Sequence, residues 1–310
     1  MLSPSELEQF AKVCNQIAND VADESGFVPV RGLLERFRAT LVARPLLVEG
    51  MLASIDTDVA SQSPHPWAVL VDSEMYRVSE TAIEEERVGH PLAARLRNTV
   101  AHELVHSLAF RPSDFGVRLN FDISAEKNKA ALVEAIEQQT ERFSPLLLWS
   151  RKALENLVIT HGRALSVDNF TETRRVLGMS REVIISRLNL LPPADELRNL
   201  SGLANVAIGI AEWAKGGTAL LRKWPLFINF HGNVVPSFLN RLRNQDYLPS
   251  TDVFKDTRFA MSGGTSRIVD FEAAANHPNP LPATCMVERS DRKAGSRFLF
   301  MVRRVDKAIG

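Results

Sequence analysis

One helix constrains this fold more than any other stretch of the chain. Residues Pro91–Phe110 carry apolar side chains at Ala93, Leu96, Val100, Ala101, Leu104, Val105 and Leu108. At about 100° per residue these positions form one broad arc, so the stretch reads as a helix with a buried back. Arg97 falls inside that arc as its one charged interruption. Arg95, Thr99, His102 and His106 occupy the opposite side. Such a helix lies with its back against a core and its two histidines toward a cleft. Pro91 opens it, and Arg111-Pro112-Ser113-Asp114 ends it.

Inside this helix, His102-Glu103-Leu104-Val105-His106 reads HExxH. Residues i and i+4 sit one turn apart on one face, so both imidazoles can reach a single cation. Glu103 stands beside them, where a general base for metal-assisted hydrolysis is needed. Chance alone puts the motif in about one chain in a hundred of this length. Here two of only seven histidines bracket a Glu on a helix with an apolar back, which favours the chemical reading.

A zinc site of this type needs a third ligand and an open position for water. The next helix, expected over Ser124–Phe143, offers Glu134, Glu137 and Glu141 at i, i+3 and i+7 on one face. Spacing alone leaves the ligand open. Glu137 and Glu141 make a sensible pair, the first on the metal and the second accepting from a ligand imidazole. Against this stands the common fate of a Glu-rich face, which is simple solvation.

The rest of the chain sets the frame. Ser3-Pro4-Ser5-Glu6 is a helix start, with the helix running to about Asp23. Arg31–Ala43 is expected as a second helix. Leu46–Ile55 and Trp67–Asp72 are expected as strands around an SQSPHP loop. Pro145 should interrupt the glutamate helix, with helix resuming over Leu146–Val158. Asp168–Leu177 and Ser180–Leu190 form a helix pair, with Gly178 as C-cap and Ser180 as N-cap. Ala194–Ala214 is expected to be helical. Beyond Gly217 the pattern changes to strands at Pro225–Phe230, Ser266–Phe271, Thr284–Arg289 and Arg297–Arg304. A helix over Pro236–Asn244 and a hairpin connection over 290–295 complete it.

Charge divides at the same place. The chain balances 37 Lys+Arg against 37 Asp+Glu. Residues 217–310 hold 14 basic and 8 acidic groups, and the first 216 hold 23 and 29. Zero net charge gives no global pull toward nucleic acid or an anionic membrane. Cys14 and Cys285 are too few for a disulfide scaffold, so a reducing compartment is expected. No apolar run reaches the ~18 residues of a membrane span, and the N-terminus lacks a signal-peptide pattern. A cytoplasmic protein without a membrane partner is the expectation.

The residues around HExxH resemble the ImmA/IrrE family of bacterial metallopeptidases. Trp67–Asp72 stands for that family's lead strand, and Arg95–His106 for its Arg-containing segment running into HExxH. Glu137-Gln138-Gln139-Thr140-Glu141-Arg142-Phe143-Ser144-Pro145-Leu146-Leu147-Leu148 stands for its second-helix pattern and the apolar stretch after it. Gly178-Met179-Ser180-Arg181-Glu182-Val183-Ile184-Ile185-Ser186-Arg187-Leu188 is similar to its Val-Ser-x-x-Ala-x-x-x-Arg-Leu helix. The similarity covers roughly residues 40–190. Val105 replaces the usual Gly of HELGH, Thr140-Glu141 replaces Ala-Asn, and the terminal Pro of LLMP is missing.

The resemblance implies an α+β fold, with a mainly helical zincin-like peptidase core and a short sheet over 1–160. A helical region would follow over 161–216. The strands and helix beyond Gly217 suggest a small α+β module over 217–310, which would either sense a ligand or dock the substrate, as appended domains of that family do, or simply cap the core as a structural extension. The resemblance implies Zn2+ held by His102, His106 and Glu137, with Glu134 as the fallback ligand. Glu103 would be the catalytic base and Glu141 the support of one histidine. The substrate it implies is a helix-turn-helix transcriptional repressor, cut in response to stress or a mobile element. An extended substrate would pair with an edge strand, assigned to Trp67–Asp72. Two other classes stay open: an antitoxin-like regulatory protein that keeps its zinc site, and a metal hydrolase of another amide.

Some features compete with this reading. His161 would be an oxyanion donor or, more often, a solvated loop residue. His65, His90, His231 and His277 adjoin turn residues and are assigned no role. Arg174, Arg175, Arg181 and Arg187 give the Asp168–Leu190 pair the look of a DNA reader. Val183, Ile184, Ile185 and Leu188 look like core contacts, so direct nucleic-acid binding is disfavoured.

Overall fold

The structure is a computed structural model. It describes residues 4–55, 66–78, 80–110, 115, 129–159, 167–191, 195–199, 203–204, 206–213, 219–220, 226–229, 267–270, 283–287 and 297–304. His65, His161, His231, His277, the Pro236–Asn244 stretch and the 290–295 connection lie outside them. The described chain is α+β and mostly helical up to Asn199. It divides into two compact units, one of Met1–Asn156 with Arg174–Val183, the other of Leu157–Thr173 with Ile184–Gly310.

Helix α1 (Pro4–Val21) turns Phe10, Cys14, Ile17 and Ala18 inward at helical spacing. Helix α2 (Val30–Phe37) ends sooner than its apolar pattern suggests. Arg38 takes a left-handed conformation, φ 53°, and its N–H bonds the carbonyls of Leu34 and Glu35. The expected tail of that helix is instead strand β1 (Ala39–Arg44), in which Ala39 and Leu41 are buried and Thr40 is exposed. That alternation fits a pleated strand and not a helical face.

Strands β2 (Gly50–Ser54) and β3 (Trp67–Asp72) complete a three-stranded sheet of order β1-β3-β2. β1 runs parallel to β3, with Ala39 opposite Trp67, and β2 runs antiparallel, with Gly50 opposite Val71. Trp67–Asp72 is therefore the central strand, not the open edge expected for it. Among the described residues, the edge strand next to the histidine helix is β2. The apolar pattern predicts helix through Ala43, which leaves two strands and gives Trp67–Asp72 a free side.

Asp72 caps the short helix α3 (Ser73–Tyr76), accepting from the N–H groups of Glu74 at 2.9 Å and Met75 at 3.4 Å. Helix α4 (Glu80–Glu84) precedes α5 (Ala94–Phe110), which packs on α2, β2, β3 and the next helix, α6 (Lys129–Leu148). Leu96, Val100, Ala101, Leu104, Val105 and Leu108 of α5 are all buried, as the arc requires. α6 also packs on α1, where Phe10 stacks on Phe143 at 5.7 Å. Pro145 lies inside α6 without ending it. Proline cannot donate to the Glu141 carbonyl one turn back. The Ser144 hydroxyl reaches that carbonyl instead, at 3.5 Å.

Arg97, the interruption in the arc, is fully buried. Its guanidinium pairs with the buried Glu86 carboxylate, donates to the Val28 carbonyl at 2.8 Å and lies 4.6 Å over the Phe27 ring. Glu86 also accepts the Val30 N–H at the start of α2. A carboxylate there suits the partial positive charge of a helix N-terminus. Burial lowers the Arg97 guanidinium to about 9, so it stays charged at neutral pH.

Helix α7 (Arg151–Ile159) is followed by α8 (Val167–Leu177) and α9 (Arg181–Asn189). Gly178 ends α8 at φ 59°, with the Met179 N–H bonded to the Arg174 carbonyl at 3.0 Å. The Ser180 hydroxyl accepts the Val183 N–H at 3.2 Å, the expected N-cap. Val183, Ile184, Ile185 and Leu188 are buried, and so is Arg187. Of the other arginines in the pair, Arg175 is exposed and Arg174 and Arg181 are half-buried.

The expected helix over Ala194–Ala214 is the main correction in the second unit. Among the described residues there, α10 (Glu196–Asn199) alone is helical, and Val206–Trp213 is strand β4. Val206–Ile210 are buried without alternation, and a short apolar run of that kind does not reveal its own period. β4 joins β5 (Ala219–Leu220), β6 (Leu226–Asn229), β7 (Arg267–Asp270), β8 (Ala283–Val287) and β9 (Arg297–Arg304) in one antiparallel sheet. Val206 stands opposite Arg303 of β9 on one side and Asn229 of β6 on the other. The Asn229 amide donates to the carbonyls of Arg198 at 2.6 Å and Leu203 at 2.7 Å, which ties α10 to this sheet.

Candidate metal centre

α5 and α6 face each other across the site. His102 and His106 project from the side of α5 opposite its buried back. Their Nε2 atoms lie 3.2 Å apart and the rings meet edge to face at 4.9 Å. Glu137 of α6 reaches both, with Oε2 3.1 Å from His102 Nε2 and Oε1 3.4 Å from His106 Nε2. These three residues form the one group of potential ligands among the described residues whose donor atoms all lie within 4.8 Å of one another. Two imidazole nitrogens and one carboxylate oxygen are a common donor set for Zn2+. The trio is able to hold a metal ion.

Burial holds the His106 imidazole below its ordinary value, with Glu137 opposing and His102 adding to the effect. A histidine kept neutral has a lone pair for a metal. Glu134 and Glu141 lie outside the trio, and both are exposed. Glu134 accepts from the Gln138 amide at 3.4 Å. The group beside His106 Nδ1 is not Glu141 but the buried hydroxyl of Thr140, at 3.4 Å. Only the departure from Ala-Asn at Thr140-Glu141 pointed to that position, and it gave no role.

Glu103 points toward β2. It is 7% exposed, and the Leu52 backbone N–H hydrogen-bonds its carboxylate. Burial raises this carboxyl to about 7, with the Glu137 charge adding to the rise and the Leu52 bond opposing it. β2 can come this close because residue 50 is glycine. A Cβ there would lie 2.5 Å from Thr99 Cγ2 and 3.1 Å from Glu103 Oε1.

A polar cluster beside the site joins α3 and α5 to Glu49, the residue just before β2. The Tyr76 phenol donates to Glu49 Oε2 at 3.0 Å and lies 2.7 Å from Thr99 Oγ1. Arg95 Nε donates to the same Glu49 oxygen at 3.1 Å. The Arg95 hydrogen bond holds the Glu49 carboxyl below its ordinary value, helped by Tyr76 and Thr99 against the effect of burial. Burial keeps the Tyr76 phenol above its ordinary value. Sequence placed Arg95 and Thr99 on the histidine face. Nothing local tied them to Glu49 or Tyr76, which arrive through the sheet.

No protein-family model and no curated protein matches the chain. Among solved structures, a Mycobacterium tuberculosis transcriptional regulator is similar over 96% of this chain and 76% of its own length, with a TM-score of 0.47 and 10% identity. No helix among the described residues is long and apolar enough to cross a membrane.

Proposed function

We propose that this chain is a zinc-dependent endopeptidase with a zincin-like core, of the kind its resemblance to the ImmA/IrrE family implies. One observation carries the reading: His102, His106 and Glu137 converge while the buried Glu103 stands next to them. Zn2+ bound by the trio supplies a Lewis acid that polarises a scissile carbonyl and acidifies water. Glu103 takes a proton from the attacking water and passes it to the leaving amine. The Leu52 N–H holds the Glu103 carboxyl from β2, whose close approach Gly50 allows.

The outer edge of β2, unpaired among the described residues, is where an extended peptide would add main-chain hydrogen bonds. In this reading the substrate is a helix-turn-helix repressor, and residues 217–310 are the sensory or docking part. The test is Glu103→Gln, followed by metal analysis and cleavage of a repressor encoded beside this chain. Zinc retained at one per chain, with cleavage reduced by roughly 100-fold or more, supports the base role. Undiminished cleavage removes it. Zinc bound by the unaltered protein without any cleavage would favour the regulatory-protein reading instead.

A further inference from the structure

Thr140 sits on α6 three residues past Glu137 and is 1% exposed. Its Oγ1 lies 2.9 Å from the Ile136 carbonyl and 3.4 Å from His106 Nδ1. A threonine hydroxyl has one hydrogen and two lone pairs. The Ile136 carbonyl can only accept, so the hydroxyl hydrogen goes to it. What Thr140 offers His106 is a lone pair, and Nδ1 must be the donor.

We propose that Thr140 is a positioning residue of the metal centre. Its oxygen accepts the His106 Nδ1–H, holds the ring's orientation and leaves the Nε2 lone pair aimed at His102 and Glu137. This rests on the metal-centre reading above. Ligand histidines generally give their second N–H to a carboxylate, a carbonyl or a water, and that contact fixes the tautomer. Here a hydroxyl takes the place expected for Glu141. It orients the ring without adding another negative charge beside Glu103 and Glu137.

Thr140→Val and Thr140→Ser separate the hydrogen bond from packing. Valine keeps the shape and loses the oxygen, whereas serine keeps the oxygen and loses the methyl. Zn2+ would be titrated into the full-length proteins against a chromophoric chelator. Valine should weaken zinc binding about 10–100-fold, while serine should stay within about threefold of the unaltered protein. In 15N-edited spectra of the zinc-loaded protein, the His106 Nδ1–H should be protected from exchange with Thr or Ser at 140. With Val it should exchange rapidly, and the His102 signals should not move. Zinc affinity unchanged by valine overturns the proposal, and so does serine as weak as valine. If the unaltered protein takes up no zinc, the metal-centre reading itself fails. If it binds zinc and valine changes nothing, only the role of Thr140 fails.

Discussion

Removing the Arg97 side chain tests the buried ion pair that anchors the histidine helix. In Arg97→Met the Glu86 carboxylate, fully buried in the native fold, would keep the Val30 N–H and lose its only cationic partner among the described contacts. Taking one partner from a buried pair costs about 3–5 kcal/mol, because the remaining charge is left without compensation. A unit of this size loses about 2–4 °C of melting temperature per kcal/mol. The expected fall is therefore roughly 6–20 °C, the product of those two ranges. Glu86→Gln should cost less than this, since the amide still accepts the Val30 N–H while Arg97 keeps the Val28 carbonyl. The double variant, Glu86→Gln with Arg97→Met, should cost much less than the two single losses together. A four-corner cycle followed by chemical denaturation and by melting gives the coupling directly. Additive losses, or a loss below about 1 kcal/mol for Arg97→Met, would refute the reasoning, because an exposed or unpaired arginine behaves that way.

Three further outcomes follow from the same structure. Glu137→Gln should weaken zinc binding by on the order of 100-fold, while Glu134→Gln and Glu141→Gln stay within about threefold, as chelator competition will read; a loss at Glu134 instead would move the third ligand one turn down α6. Gly50→Ala places a methyl 2.5 Å from Thr99 Cγ2, so β2 must retreat from α5 at a cost of about 1–3 kcal/mol, and an unchanged melting temperature would mean that the strand does not approach the helix this closely. The Glu49 carboxyl is depressed below 4.5 by Arg95, so its contribution to stability is complete above that value and is lost as pH falls through the lower folded value. Glu49→Gln should therefore flatten the acid limb of the melting profile. Added salt should shrink the difference, because the Arg95 and Glu49 side chains are 64% and 43% exposed. An acid limb identical in the two proteins would remove this pair from the account.

Most of the candidate site was legible before any tertiary contact was known. Helical periodicity is local, so it placed His102 and His106 one turn apart and opposite a buried back, and it put Glu134, Glu137 and Glu141 on one face. It could not choose among the three glutamates. That choice depends on the height at which α6 crosses α5, and the crossing brings Glu137 level with both imidazoles. The same crossing sets Thr140, not Glu141, beside His106 Nδ1.

What the sequence determined by itself were the features that repeat within a turn or two: the HExxH geometry, the Gly178 and Ser180 caps, and the amphipathic α1 and α5. Arg97 looked like a flaw in the arc because its partner, Glu86, belongs to the segment before the helix. Sequence pattern predicts helix over β1 and β4 for a related reason. A short apolar segment is stabilised as strand by partners far along the chain, here Trp67–Asp72 for β1 and Arg297–Arg304 for β4. Tertiary structure decided those pairings, the central place of β3 and the approach of β2 to Glu103. Burial and hydrogen bonding across distant segments outweigh local propensity wherever a run is too short to declare its own period.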